Sequence, residues 1–102
     1  MKRDYLPIGT VVLLKKGKKP LMIYGRTQKI ENVDNLVDYI GVPYPEGFIS
    51  NDMVYYFDNS SIEKILYYGY VNDDEISLRK YIQAQVNEIQ NNNIPQTNIT
   101  NN

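Results

Sequence analysis

The sequence predicts an α+β domain that is mainly β: a five-stranded antiparallel sheet followed by one C-terminal helix. Five short runs rich in β-branched and aromatic residues are separated by stretches containing Gly, Pro and Asn, and none is long enough for an ordinary helix. Beyond them, from Asp73, apolar residues recur at intervals of three and four, the helical period. Size sets the scale: 102 residues, 42% hydrophobic and 23% charged, suit one domain with a modest core, burying roughly two-thirds of the surface that the unfolded chain exposes.

The first strand is placed at 9–15, where Thr10, Val11, Val12, Leu13 and Leu14 follow Gly9. Lys15, Lys16, Lys18 and Lys19 then surround Gly17, which can adopt a positive φ, so the tip reads as a hairpin turn slightly longer than two residues. Pro20 has no N–H to give a ladder, so it belongs at the head of the return strand, 20–27. There Leu21, Ile23 and Gly25 alternate with Met22, Tyr24 and Arg26. Bulk on both faces as far as Tyr24 predicts that this hairpin lies at the centre of the sheet, covered on both sides for part of its length. The polar stretch 29–35 reads as a loop.

Residues 36–42 resume strand character, with Val37, Tyr39 and Gly41 on one face and Asp38, Ile40 and Val42 on the other. Pro43-Tyr44-Pro45-Glu46-Gly47 is a turn, since the prolines fix φ and Gly47 is free to go left-handed. A fourth strand is expected at 53–58. Ser60 and Glu63 have the spacing of a capping box and predict one helical turn from Ser61 to Lys64. A fifth strand follows at 65–70, with Gly69 marking a bulge or a close backbone approach. The pairs Tyr55-Tyr56 and Tyr67-Tyr68 predict that the fourth and fifth strands are antiparallel neighbours. Short strands at this spacing favour a sheet curled into a small barrel, SH3-like in size.

The helix is expected over 73–90. Asp73, Asp74 and Glu75 put negative charge at its N-terminus, where the macrodipole favours it, and Leu78, Ile82, Val86 and Ile89 form one apolar stripe. Asn91, Asn92, Asn93 and Pro95 open a polar run to Asn102 that predicts a disordered tail, 91–102, after a single compact domain, 1–90.

Composition excludes several chemistries. With no Cys and no His, thiol nucleophiles, disulfides, thiolate or imidazole metal sites and histidine acid–base catalysis are all absent. A net charge of −1 supplies no global field for nucleic acid or anionic membrane. The charged opening Met1-Lys2-Arg3-Asp4 leads into no apolar h-region, and no run approaches the roughly 20 apolar residues of a membrane span. A cytoplasmic location is the expectation, and the sequon matches at Asn59 and Asn98 are then chance.

Three candidate sites remain. The exposed tip lysines, Lys15, Lys16, Lys18 and Lys19, offer a landing point for phosphate or an acidic partner, although lysines at a hairpin tip are also ordinary solubilising residues. Ten tyrosines without a tryptophan supply rigid amphipathic rings suited to interfaces, and equally suited to a half-buried sheet. Tyr39, Pro43, Tyr44, Pro45, Glu46 and Gly47 are the candidate partner-binding residues, with Tyr44 presented between two prolines. Asp38, Glu46, Asp52 and Asp58 lie near strand ends, where carboxylates can converge on magnesium or calcium or act as a pair. Their spacing forms no recognisable loop, so no catalytic residue, metal or cofactor is assigned and an enzyme is not expected.

One set of residues is similar to a small bacterial family, domain of unknown function 4176. The segments are Tyr5 to Leu14, Leu21 to Arg26, Asp38 to Gly47, and Ile62-Glu63 before Gly69-Tyr70. The Pro43–Gly47 turn is the most specific part of a likeness that covers about 5–74. The resemblance implies a short cytosolic protein of Gram-positive bacteria, encoded beside type VII secretion components and LXG-type toxins. It further implies a protein-binding accessory factor, an adaptor or chaperone for an exported toxin, or alternatively a part of the toxin's immunity system. It supplies no catalytic residues. A nucleic-acid or phosphate-binding module working through the lysine tip stands as another alternative.

Overall fold

The computed structural model describes residues 5–29 and 36–99. β1 (Val11–Leu14), β2 (Leu21–Lys29), β3 (Leu36–Pro43), β4 (Tyr55–Phe57) and β5 (Ile62–Tyr67) form one antiparallel sheet in the order β4-β3-β2-β1-β5. The helix α1 (Asp73–Ile99) follows. The chain falls into two compact units, Met1–Val71 with the sheet and Asn72–Asn102 with the helix.

The predicted hairpin is indeed the middle of the sheet. Val11 faces Met22 and Val12 faces Leu21, and Gly9 and Thr10 prolong the pairing by exchanging backbone bonds with Ile23, each 2.8 Å. Side chains directed to opposite faces are both buried here, Val11 and Val12 alike, as expected of a strand covered on two sides. At the tip the left-handed residue is Lys16, φ 65, and not Gly17. Gly17 serves a different need: its N–H bonds Leu14 O at 2.9 Å, and a Cβ there would lie 3.2 Å from that oxygen.

β2 departs from simple alternation. Ile23 pairs with Gly41 and Gly25 with Ile40, so Tyr24 is an extra residue in a bulge. The slip turns Arg26 to the face that carries Ile23, opposite Tyr39, which in turn faces Phe57 on β4. That face holds the core: Val12, Leu21, Ile23, Tyr39 and Phe57 are buried. Each such side chain contributes about 1.5–3 kcal/mol as an upper estimate. The lead-in segment covers it. Tyr5 meets Tyr39 edge to face with centroids 6.1 Å apart, Tyr39 touches Phe57 at 5.7 Å, and Arg26 Nη1 donates to Leu6 O at 3.3 Å.

Several sequence expectations are corrected at the sheet's edges. The sheet is open, with β4 and β5 on opposite edges, so the barrel closure is not seen and the two tyrosine pairs are not neighbours. No helical turn forms at Ser61–Lys64: a short 3-10 turn occupies Asn59–Ser61, and β5 begins at Ile62, three residues before the predicted start. The cause is pairing with β1. Ile62 and Lys64 face Leu14 and Leu13, and Ser61 O takes the Lys15 N–H at 2.9 Å, so that carbonyl is committed across the strands and not to the i+4 N–H that a helix would need. At the fourth strand, Asn51–Met53 is a 3-10 turn and only Tyr55–Phe57 joins the sheet. Gly69 makes the predicted close approach: a Cβ would sit 2.4 Å from Ile8 O and 3.0 Å from Thr10 N, while its N–H donates to the buried Thr10 Oγ1. The predicted 29–35 loop lies outside the described residues except Lys29, which ends β2.

In the second unit, Asn72 caps α1. Its Oδ1 accepts the Glu75 N–H at 2.9 Å and its carbonyl accepts the Ile76 N–H at 3.1 Å. Glu75 and Arg79 form an i,i+4 pair at 3.1 Å. Of the predicted stripe, Val86 is buried, Ile82 half-buried and Leu78 exposed. α1 continues past the expected end at residue 90, through Pro95 to Ile99. No helix among the described residues is long and apolar enough to cross a membrane.

Candidate functional site

The Pro43–Gly47 turn is fixed to the hairpin tip from several directions. β3 delivers Pro43 opposite Leu21, the Tyr44 N–H bonds Pro20 O at 2.9 Å, and the Gly47 N–H closes on Pro43 O at 2.7 Å. The Tyr44–Pro45 bond is cis, and Gly47 takes the expected left-handed conformation, φ 78. Lys19 Nζ reaches across to the Glu46 carboxylate at 2.9 Å. That hydrogen bond holds the Glu46 carboxyl below its ordinary range. A strand end, a proline carbonyl and an ion pair thus position one short turn, so its exposed side chains project from a fixed base.

The turn separates two apolar grooves. One, of about 390 Å³, lies between the tip and the turn, with Leu14, Leu21, Pro43, Ile49, Met53 and Tyr55 in its lining and Lys18, Lys19 and Glu46 at its polar margin. The other, of about 500 Å³, is lined by Val11, Met22, Leu66, Tyr67 and Tyr44 among others. Glu46 and Tyr44 therefore address different grooves although they are two residues apart. Around them the surface is unusually apolar: Tyr44 is 49% exposed, Phe48 58% and Tyr67 64%.

Of the predicted partner-binding residues, Tyr44, Pro45 and Glu46 are exposed, Gly47 is half-buried and Pro43 is buried beneath them. Tyr39 is elsewhere. It is fully enclosed in the core, where its hydroxyl accepts the Leu6 N–H and donates to Asn59 Oδ1, both at 2.9 Å, and burial pushes its pKa up. A ring with no exposed surface cannot meet a partner, so Tyr39 is corrected to a core residue. Its place on the surface of the turn is filled by residues that sequence patterning passed over. Phe48 and Ile49 carried a legible signal, two large apolar side chains in a segment with no strand or helix to bury them. Leu66 and Tyr67 carried none, since only the β1–β5 pairing brings them near Tyr44.

The tip lysines are exposed, and Lys19 is paired with Glu46. The four candidate carboxylates do not converge. Asp38 and the 58–59 segment exchange bonds, with the Asp38 N–H on Asp58 Oδ1 and the Asn59 N–H on Asp38 Oδ2, both 2.9 Å; Glu46 serves Lys19, and Asp52 sits in the 51–53 turn. Among the described residues no group of three or more Asp or Glu side chains is placed to hold a metal ion.

No curated protein and no solved structure matches the chain. A family model does, over residues 5–78, a span that takes in the whole sheet, the Pro43–Gly47 turn and the first residues of α1. With nearly three-quarters of its length matched, the chain belongs to the family described as domain of unknown function DUF4176.

Proposed function

We propose that the protein is a protein-binding accessory factor, an adaptor or chaperone for a toxin exported by type VII secretion, and that it docks a helical or extended segment of the toxin's targeting domain. The observation that carries this reading is the exposed Tyr44 on a turn pinned to the hairpin, with an apolar groove on either side. Large aromatic anchors beside apolar depressions are the usual energetic centre of a protein interface. Membership in the DUF4176 family supports the toxin-associated setting through the gene neighbourhood that the resemblance implies.

Co-expression with the adjacent toxin is expected to yield a complex that survives purification. Tyr44→Ala combined with Glu46→Ala is expected to weaken it by at least about tenfold, the scale of one interface anchor. A complex unchanged by that double substitution, in a variant shown to be folded, overturns the site.

A further inference from the structure

Resting on the reading of this turn as a docking site, we infer that the groove between the hairpin tip and the turn receives an acidic amphipathic segment of a partner protein. One apolar side chain of that segment would enter the groove, and its carboxylates would lie against the tip lysines. The argument is one of shape and charge together. The lining is aliphatic and aromatic, and about 390 Å³ is on the scale of a cleft that encloses a few side chains, not a domain. Lys18 and Lys19 are in its lining, and Lys15 and Lys16 stand next to them on the same hairpin tip, although the whole chain carries −1.

Among the described residues Glu46 is the one carboxylate in the lining, and it is already held by Lys19. Asp52 neighbours the lining residue Met53 without itself lining the groove. Lys15, Lys16 and Lys18 form no ion pair among the described residues. They are left to act on whatever approaches. A basic segment would bring like charge to them, and an uncharged one would gain nothing from them. An acidic one is drawn in and oriented, because complementary charge acts on encounter and register. A nucleic acid could use the lysines but not the aliphatic lining, which favours a peptide.

The test uses the full chain and short synthetic peptides in four versions: leucines at helical spacing with glutamates between them, the same peptide with Gln for Glu, with Lys for Glu, and with Ser for Leu. Binding is read by fluorescence anisotropy, and location by methyl chemical shifts of Leu14, Leu21 and Ile49. The Leu/Glu peptide is expected to bind about tenfold more tightly than the Gln version in low salt, with the gap closing as salt rises. Lys16→Glu with Lys18→Glu should abolish the gap, and Ile49→Ser should weaken binding of both peptides. Equal binding of the Glu and Gln versions, shifts confined to the Tyr44–Tyr67 groove, or an oligonucleotide that binds the tip independently of Ile49 would overturn the inference. If the toxin complex depends on Tyr44 while the peptides are not discriminated, the docking reading stands and the acidic-segment inference falls. If the peptides are discriminated but no toxin co-purifies, the toxin-adaptor reading falls and the groove chemistry stands.

Discussion

Tyr39, a ring with no exposed surface, holds two distant segments together through one hydroxyl. Its hydroxyl joins the lead-in segment to the 58–59 segment, accepting from Leu6 and donating to Asn59. Tyr39→Phe takes the hydroxyl from the half-buried Leu6 N–H and Asn59 Oδ1 and is expected to cost about 1–3 kcal/mol in urea unfolding. The pH dependence has a definite sign. Burial, the largest cause, raises the phenol's pKa in the folded state. Its contribution is therefore complete below the unfolded phenol value and is lost as pH rises through the folded one. The wild type should lose more stability than Tyr39→Phe between neutral pH and the alkaline phenol range; equal losses would refute the assignment. Gly69 is the other decisive residue. A Cβ placed 2.4 Å from Ile8 O requires backbone to move, so Gly69→Ala should cost on the order of 3 kcal/mol, visible as a lowered urea midpoint with an unchanged slope.

Among the elements, the strands with alternating bulk and the helix with acidic first-turn residues were readable locally. The capping signal was not, because the same pattern occurs twice. Ser60–Glu63 and Asn72–Glu75 both place a small polar residue three positions before a glutamate, and only the second caps a helix. The first is overruled by pairing of Ile62 and Lys64 with β1, an instance of long-range hydrogen bonding deciding a locally ambiguous stretch. Asn72→Ala is accordingly expected to destabilise α1 by about 1 kcal/mol, and Ser60→Ala to leave helix content unchanged by far-ultraviolet circular dichroism. Loss of helicity with Ser60→Ala would reverse this assignment. The bulge at Tyr24 was also out of reach, since strict alternation places Arg26 on the wrong face.

For the molecule as a whole, the order β4-β3-β2-β1-β5 makes β2 the most enclosed strand and leaves short or exposed edges. Amide exchange should follow that order. The Ile23 N–H, bonded to Thr10 O in a residue with no exposed surface, is expected among the slowest, with β4 faster. In α1, residues 91–99 should exchange faster than 73–88, because Asn is a weak helix former and Pro95 gives no N–H to the Asn91 carbonyl. Hydrogen exchange read by mass spectrometry checks both orderings, and uniform protection along α1 would contradict the second.

By itself the sequence determined the class of the protein: a central lysine-tipped hairpin, a proline-fixed turn after the third strand, a closing helix, and the absence of thiol and imidazole chemistry. These follow from φ restriction, side-chain period and residue type, which act within a few residues. Tertiary structure alone decided that the sheet stays open, that Tyr39 is core and Tyr44 is surface, and that the turn stands between two grooves. Those outcomes depend on register between segments far apart in the chain, such as Leu21 with Pro43 and Val11 with Tyr67. No local pattern encodes which residues such pairings bring together, so the candidate site was legible as a turn, and the grooves beside it form only once its neighbours are in place.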